Sequence, residues 1–534
     1  MHLSRLPVVD LIYSYDKASN RTGFTDPESG STSYAYDTLN RLQTLTPPTA
    51  FTSGNFGFSY DGLSRRTQMT RPNSVTTNYA YDNLSHLTSV LHQLSGSTID
   101  GAAYTLDNAG NRTAKTDERA GVTSNYSYDA IYELTQVTQG TSTTESYSFD
   151  PVGNRTASLG VASYTTNSSN ELTGNSNASY TYDYNGNTLT KVVGSNTTTY
   201  AWDFENRLTS VTLPGSGGTI SFAYDPFGRR IKKVTPSATS IFAYDGDNLI
   251  EETNSSGTAV ARYSQGLNID EPLAMLRSSA TSFYQADGLG SITSLSNGTG
   301  SLAQTYTFDS FGNLTNSSGS LTNPFQYTGR EFDPETGLYY YRARYYDQTF
   351  GRFISEDPIG FGSAQNDFYD YVSNSPLGAF DPSGLAFCTY DISEGWLSCI
   401  PQKPGDPYLL IPVSSGNDGD SQHHCKDNPN CPTANGGHGP IPPGWYQWGG
   451  PSATHTNSGG MHLFPIPRTG TPDFTKDGRF LTHSCKNPFA NPFVGPFCST
   501  GCVTSTPDNI KALNQLLNAE PGSVLNVVAG PPDF

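Results

Sequence analysis

Ser33-Tyr34-Ala35-Tyr36-Asp37-Thr38-Leu39-Asn40-Arg41-Leu42-Gln43-Thr44-Leu45 alternates apolar and polar residues on either side of a turn-prone segment, Asp37 to Asn40. That pattern predicts two antiparallel strands joined by a tight turn. The element, aromatic, any residue, aromatic or Leu, Asp, then often Asn-Arg, returns at Tyr13 to Asp16, Tyr79 to Asp82, Tyr126 to Asp129, Tyr147 to Asp150, Tyr200 to Asp203, Phe222 to Asp225 and Tyr306 to Asp309. The aspartates 16, 37, 61, 82, 107, 129, 150, 183, 203, 225, 245, 287 and 309 are mostly separated by 20 to 25 residues, with one step of 33 and one double step of 42. Each unit reads as a β-hairpin. A single hairpin cannot bury its face, so the copies are expected to stack into one continuous, twisted antiparallel sheet. Period alone leaves open an adhesive solenoid or propeller.

The rest of the composition agrees. The 534-residue chain carries 53 Gly and 35 Pro, and only 15% of its residues are charged, which excludes helix bundles and coiled coils. Its 33 Tyr and 27 Phe supply large side chains suited to a pleated sheet. The fold class expected is mainly β. The net charge of −18 repels polyphosphate, so nucleic acid is not expected as a partner. No apolar run is long enough to span a membrane, and Met1 to Asp16 has no Sec-type leader. Export is therefore expected to need a dedicated machine or a missing N-terminal portion.

The array closes with Pro324-Phe325-Gln326-Tyr327-Thr328-Gly329-Arg330-Glu331-Phe332-Asp333-Pro334-Glu335-Thr336-Gly337-Leu338-Tyr339-Tyr340-Tyr341-Arg342-Ala343-Arg344-Tyr345-Tyr346-Asp347, followed by Gly351-Arg352-Phe353-Ile354-Ser355-Glu356-Asp357-Pro358-Ile359-Gly360. With the repeats, this segment resembles the repeat-associated core of the Rhs family, related to the C component of insecticidal Tc toxins. The resemblance covers residues 10 to 385. It implies that YD repeats over 1–323 wind a spiral β-shell, that 324–385 is the core, and that a toxin held inside follows. With about thirteen repeats, the first already under way at the start, the chain is expected to be short of a full shell.

Asp357-Pro358-Ile359-Gly360 stands 24 residues before Asp381-Pro382-Ser383-Gly384-Leu385. Two carboxyl groups brought together can share a proton, one serving as acid on a carbonyl while the other activates water. Asp-Pro pairs on their own are more often simple turns. The family resemblance implies that Asp357 and Asp381 cut the chain after Leu385.

All seven cysteines, Cys388, Cys399, Cys425, Cys431, Cys485, Cys498 and Cys502, fall in the last 149 residues. The odd count suits three disulfides between neighbours, Cys388 with Cys399, Cys425 with Cys431 and Cys485 with Cys498, leaving Cys502 free, although six cysteines alone allow fifteen connectivities. Reduced thiols in a cytosolic domain are the alternative. The cluster His423, His424, Cys425 and Cys431 matches no common zinc spacing, so no metal or cofactor is expected. Residues 386–436 read as a loop-rich lead-in rich in Pro, Gly, Asn and Asp. Beyond them, strands are expected after Gly444, at Met461 to Pro467, at Gly478 to His483 and at Val524 to Val528. A helix is expected from an N-cap at Thr506 through Leu517.

Gly501 before Cys502 permits a tight turn in which backbone N–H groups converge, and His483 is placed to take the thiol proton. The run Gly439-Pro440-Ile441-Pro442-Pro443-Gly444, the strand ending in His483, and Ser499-Thr500-Gly501-Cys502 together resemble the module of L,D-transpeptidases over 437–534, especially small type VI secretion effectors. The resemblance implies Cys502 as nucleophile, His483 as base, and Ser499 and Gly501 shaping the loop. The substrate implied is the peptidoglycan tetrapeptide stem, attacked in a target cell's periplasm. A secretion apparatus with a VgrG-like spike or adaptor and a cognate immunity protein are the implied partners. Departures stand at Ser484, Thr500 and Thr504. The balance of 7 basic and 11 acidic residues over 386–534 favours this reading over a nuclease toxin. The alternatives are a surface adhesion protein with a disulfide-tied cap and a nuclease-type toxin.

Overall fold

The structure is a computed structural model that describes residues 11–360 and 366–385, together with the backbone of nine strands after Leu385. The repeats form two antiparallel sheets, one of 14 strands over residues 12–158 and one of 16 strands over 164–319, each in strict sequence order. Every neighbour pair is therefore a hairpin or its reverse. The single continuous sheet expected from the repeat is corrected here. The array breaks after Arg155–Ser158, where Ser158 folds back on Val161 in an isolated bridge and Gly160 takes φ +79. The chain re-enters as the short strand Tyr164–Thr166.

The repeat motif has a direct physical basis. Asp37 Oδ1 accepts the backbone N–H of Leu39 (2.9 Å) and of Arg41 (3.0 Å), and its Oδ2 accepts Arg41 Nε (2.7 Å). One carboxylate thus satisfies the turn's donors while Asn40 holds a left-handed φ of 61°. Arg41 Nη1 then reaches the next turn and donates to the Asp61 carbonyl (3.1 Å), as Arg65 does to Asp82 (3.2 Å). The aromatic residue before each aspartate locks the opposite direction. Tyr36, Tyr60, Tyr81, Tyr128, Tyr182, Tyr224 and Tyr244 donate their hydroxyls to the carbonyls of Arg21, Leu42, Arg66, Arg112, Leu172, Leu208 and Arg230, and the Trp202 indole donates to Thr188. In every case the acceptor is the fifth residue after the preceding turn's Asp or Asn. The step of 33 hides a hairpin turned by Asn167, whose side chain accepts the N–H groups of Ser169 and Glu171 as an aspartate would. The double step hides a turn from Gly266 to Glu271.

The two sheets meet face to face. Phe24, Leu45, Phe56 and Met69 of the first pack with Ile250, Leu273 and Phe283 of the second, the Phe56 and Phe283 rings 6.0 Å apart. These side chains form an apolar core between the sheets, and beside it Phe51, Pro72, Thr281 and Phe283 line a cleft of about 340 Å³. Lys115 pairs with Asp287 (2.7 Å) and Arg21 with Asp245 (2.6 Å) across the same contact.

The closing segment adds a four-stranded sheet over residues 331–353 and lies across both larger sheets. On the second sheet, buried Arg230 pairs with Glu331 (2.9 Å) and with Asp333. On the first, Asn374 Nδ2 donates to Glu133 Oε1 (3.0 Å) and the Gly153 carbonyl (2.8 Å), and Arg112 donates to the Leu377 carbonyl (2.8 Å). Beneath lies a buried aromatic cluster of Tyr327, Tyr339, Tyr341, Tyr346, Phe353 and Tyr371. Tyr346 and Tyr371 have centroids 4.5 Å apart.

After Leu385 the nine strands form one mixed sheet. Strands Gly444–Pro451, Met461–Pro465, Phe480–Ser484 and Val524–Val528 stand where the alternation predicts them. Cys388 and Cys399 are register partners on adjacent antiparallel strands. His483 lies in Phe480–Ser484, beside and parallel to Val503–Ser505, with Thr504 opposite it. Cys502, Ser499, Gly501, the remaining cysteines, His423, His424 and the helix expected from Thr506 lie outside the described residues.

Candidate cleavage site

The tight turn Tyr341 to Arg344 joins strands Leu338–Tyr341 and Arg344–Asp347, and it presents a row of groups to the loop 381–385. Arg342, at φ +60, donates to the Pro382 carbonyl and is itself held by both Asp270 carboxylate oxygens (2.7 and 3.0 Å). The Ala343 N–H donates to the Ser383 carbonyl (3.4 Å). A Cβ on Gly384 would come within 3.0 Å of the Tyr341 carbonyl, and its φ of +71° is left-handed. Only glycine fits this position, which explains the Gly of the Asp-Pro-Ser-Gly-Leu run.

Arg344 organises the centre. Its Nη2 lies 3.3 Å from Asp357 Oδ2 and 3.2 Å from Asp381 Oδ2, so one nitrogen bridges the carboxyl groups that the sequence singled out. The guanidinium sits 3.6 Å from the centroid of the Phe353 ring, and its Nη1 donates to the Phe368 carbonyl (3.1 Å). The same carbonyl accepts the backbone N–H of Asp357 (2.9 Å). Arg344, Asp357 and Phe353 are all buried. The structure therefore brings Asp357 and Asp381 to one guanidinium, with the Leu385 N–H on Asp381.

Burial lifts the Asp357 carboxyl above the ordinary aspartate range. Arg344 and the Ile359 N–H oppose that rise, while Asp381 adds to it. Burial also lifts Asp381, against Arg344 and the backbone N–H groups of Gly384, Leu385 and Ser383. The Gly384 N–H reaches Asp381 Oδ1 at 2.6 Å. Both carboxyl groups are thus lifted by burial and opposed by the one guanidinium between them, and Asp381 also accepts backbone N–H groups of its own loop. Ser383 Oγ donates to the Leu385 carbonyl (3.3 Å).

Sequence reasoning missed Arg344, Arg342 and Asp367. Asp367, buried and lifted by that burial, lies one residue before Phe368 and 3.4 Å from Arg352. No local signal marked these residues, because arginines and aspartates are frequent in the repeats, where they serve turns.

Comparison with known proteins bears on the fold. Residues 119–376 match the teneurin YD-shell family model. Solved structures with the same architecture include a TcdB2-TccC3-Cdc42 complex (TM-score 0.60, 19% identity, 70% of this chain and 21% of that one). Another is the Photorhabdus luminescens Tc holotoxin pore carrying a TccC3 D651A mutation (TM-score 0.59, 18% identity, 70% and 21%). The fold is a YD-repeat β-shell. Among curated relatives, a tRNA3(Ser)-specific nuclease WapA of Bacillus spizizenii is 32% identical over 390 residues, 70% of this chain. The tRNA nuclease WapA of Bacillus subtilis is 30% identical over 273 residues, 48% of this chain. Toxin protein Tse5 of Pseudomonas aeruginosa is 37% identical over 103 residues, 19% of this chain. The chain spans 14%, 12% and 8% of the lengths of these relatives.

These relatives correct the enzyme expected from the tail. Proteins similar to this chain are named as tRNA nucleases, which goes against a peptidoglycan L,D-transpeptidase built on Cys502 and His483. The exclusion of nucleic acid as a partner is corrected with it. The physical reason is that net charge governs solubility and non-specific attraction, whereas a specific site needs only local groups. Short runs bearing Gly and Pro, like those behind the transpeptidase resemblance, are common to many unrelated β proteins and specify no one enzyme.

Proposed function

We propose that this chain is a toxin precursor of the Rhs type: its shell cuts the bond after Leu385, and the released segment 386–534 acts as a nuclease. The observation that carries the cleavage step is the bridge of Arg344 Nη2 to both Asp357 and Asp381, four residues from Leu385 in the case of Asp381. In the reaction, ionised Asp381 takes a proton from water, and the water oxygen bonds to the Leu385 carbonyl carbon. Protonated Asp357 supplies a proton to the Ala386 nitrogen as the C–N bond breaks. The products are a Leu385 carboxylate and an Ala386 amine. The nuclease assignment is supported by the relatives named as tRNA nucleases, and the toxin role by Tse5 and the Tc structures. Export through a dedicated apparatus and protection of the producer by an immunity protein belong to the same reading.

Expression of the full chain tests the first step. Two bands on a denaturing gel are expected, the smaller beginning at Ala386 by N-terminal sequencing, and a single intact band for Asp357→Asn. An Asp357→Asn chain that still splits after Leu385 would remove the proposal. The split sample is then incubated with bulk tRNA, where shortened RNA is expected. Intact RNA would overturn the nuclease assignment and leave the cleavage step standing.

A further inference from the structure

We infer that Ser383 is a further catalytic residue of the cleavage, its hydroxyl stabilising negative charge on the Leu385 carbonyl oxygen; this rests on the cleavage reading above. Attack by water turns that oxygen into an oxyanion, and such a charge in a water-poor site needs a donor already in place. The loop's own backbone donors are engaged elsewhere. The N–H groups of Ser383, Gly384 and Leu385 all support the Asp381 carboxylate. Pro382 has no N–H to give. The Ser383 hydroxyl is the donor that the loop aims at the Leu385 oxygen, at 3.3 Å.

That distance is longer than the roughly 2.7–2.8 Å usual for O–H···O bonds. A ground-state carbonyl is a modest acceptor, and catalytic hydrogen bonds tighten as charge develops. This is the behaviour that lowers a barrier without over-stabilising the intact chain. Ser383 is held for the task from both sides: Ala343 N–H fixes its carbonyl, Arg342 fixes the carbonyl of Pro382, and left-handed Gly384 turns the chain so that residue 385 comes back over residue 383. The serine keeps its proton throughout. Water supplies the oxygen that joins the Leu385 carbon, and the Ala386 nitrogen leaves with the proton from the aspartate pair.

The test follows the full chain in cell-free translation, pulse-labelled and chased, with the cleaved fraction read on a denaturing gel. Ser383→Ala is expected to cut at least about a hundredfold more slowly than the unchanged chain, the lower side of the effect of losing one oxyanion donor. Ser383→Thr, which keeps the hydroxyl, is expected to cut within about threefold of it. Thermal unfolding of the shell should be the same in all three, since Ser383 supports no apolar packing. Ser383→Ala cutting at the unchanged rate while Asp357→Asn stays intact would overturn this role and leave the cleavage reading standing. Ser383→Thr as slow as Ser383→Ala would also overturn it. Asp357→Asn cutting normally would remove the cleavage reading and this role together.

Discussion

The turn at Asp61 and the centre at Arg344 use the same chemistry, guanidinium on carboxylate, at opposite ranges. Arg65 pairs with Asp61 four residues away and reaches Asp82 17 residues away. Arg344 pairs with Asp381 37 residues away, inside a segment anchored by contacts spanning 241 and 265 residues to Glu133 and Arg112. The first arrangement is repeated along the array and is half-exposed, so each copy contributes modestly. The second is buried and joins residues far apart in the chain, as Arg230 with Glu331 and Asp333 also does, so removing one member strands charges with little access to water. The difference separates wall from centre: repeated short-range pairings build the array, and a buried long-range pairing fixes the closing segment, where the cut is proposed.

The largest effect expected from breaking this contrast is at Arg344. Arg344→Gln leaves Asp357 and Asp381 buried without their cation, and the cost is about 3–5 kcal/mol. Chemical denaturation should register that loss, and the gel should show intact chain. A smaller and pH-dependent effect is expected at Asp370. Burial, with Asp367 nearby, pushes this carboxyl up to about 8. Its folded pKa lies above the unfolded value of about 4. The folded state therefore binds the extra proton, and stability is full below pH 4 and falls as pH rises toward 8. Asp370→Asn should unfold at a higher temperature than the unchanged chain at pH 8.5, while the gap closes at pH 5. An equal gap at both values would show that the residue acts through packing alone.

The smallest effect belongs to the array. Tyr128→Phe removes the hydroxyl that donates to the Arg112 carbonyl at 2.6 Å. A loss of about 1 kcal/mol is expected in denaturant unfolding, with the cleavage rate unchanged. A change in cleavage from this substitution would contradict the separation of wall and centre.

Much of this was legible in the chain. The spacing of the aspartates gave hairpins, and the alternation beside Tyr34 and Tyr36 gave their faces. The hairpins at Asn167 and at Gly266 to Glu271 escaped because the motif was read as requiring aspartate, whereas the turn requires only an acceptor or a compatible backbone. The aspartates of the site were marked by their Asp-Pro-x-Gly settings. Arg344 was not marked, since one Arg among Tyr-Tyr-Tyr-Arg-Ala-Arg-Tyr-Tyr looks like any other.

By itself, then, the order of residues determined the local unit: which atoms close each turn, how far apart the turns fall, and that the strands pair in sequence. These are contacts between near neighbours, and periodicity encodes them directly. Tertiary structure alone decided where the array breaks into two sheets, which apolar residues of the two meet, and that Arg344 stands between Asp357 and Asp381. Such outcomes depend on surfaces distant in the chain competing to leave water, and no spacing along the chain records which of them meet.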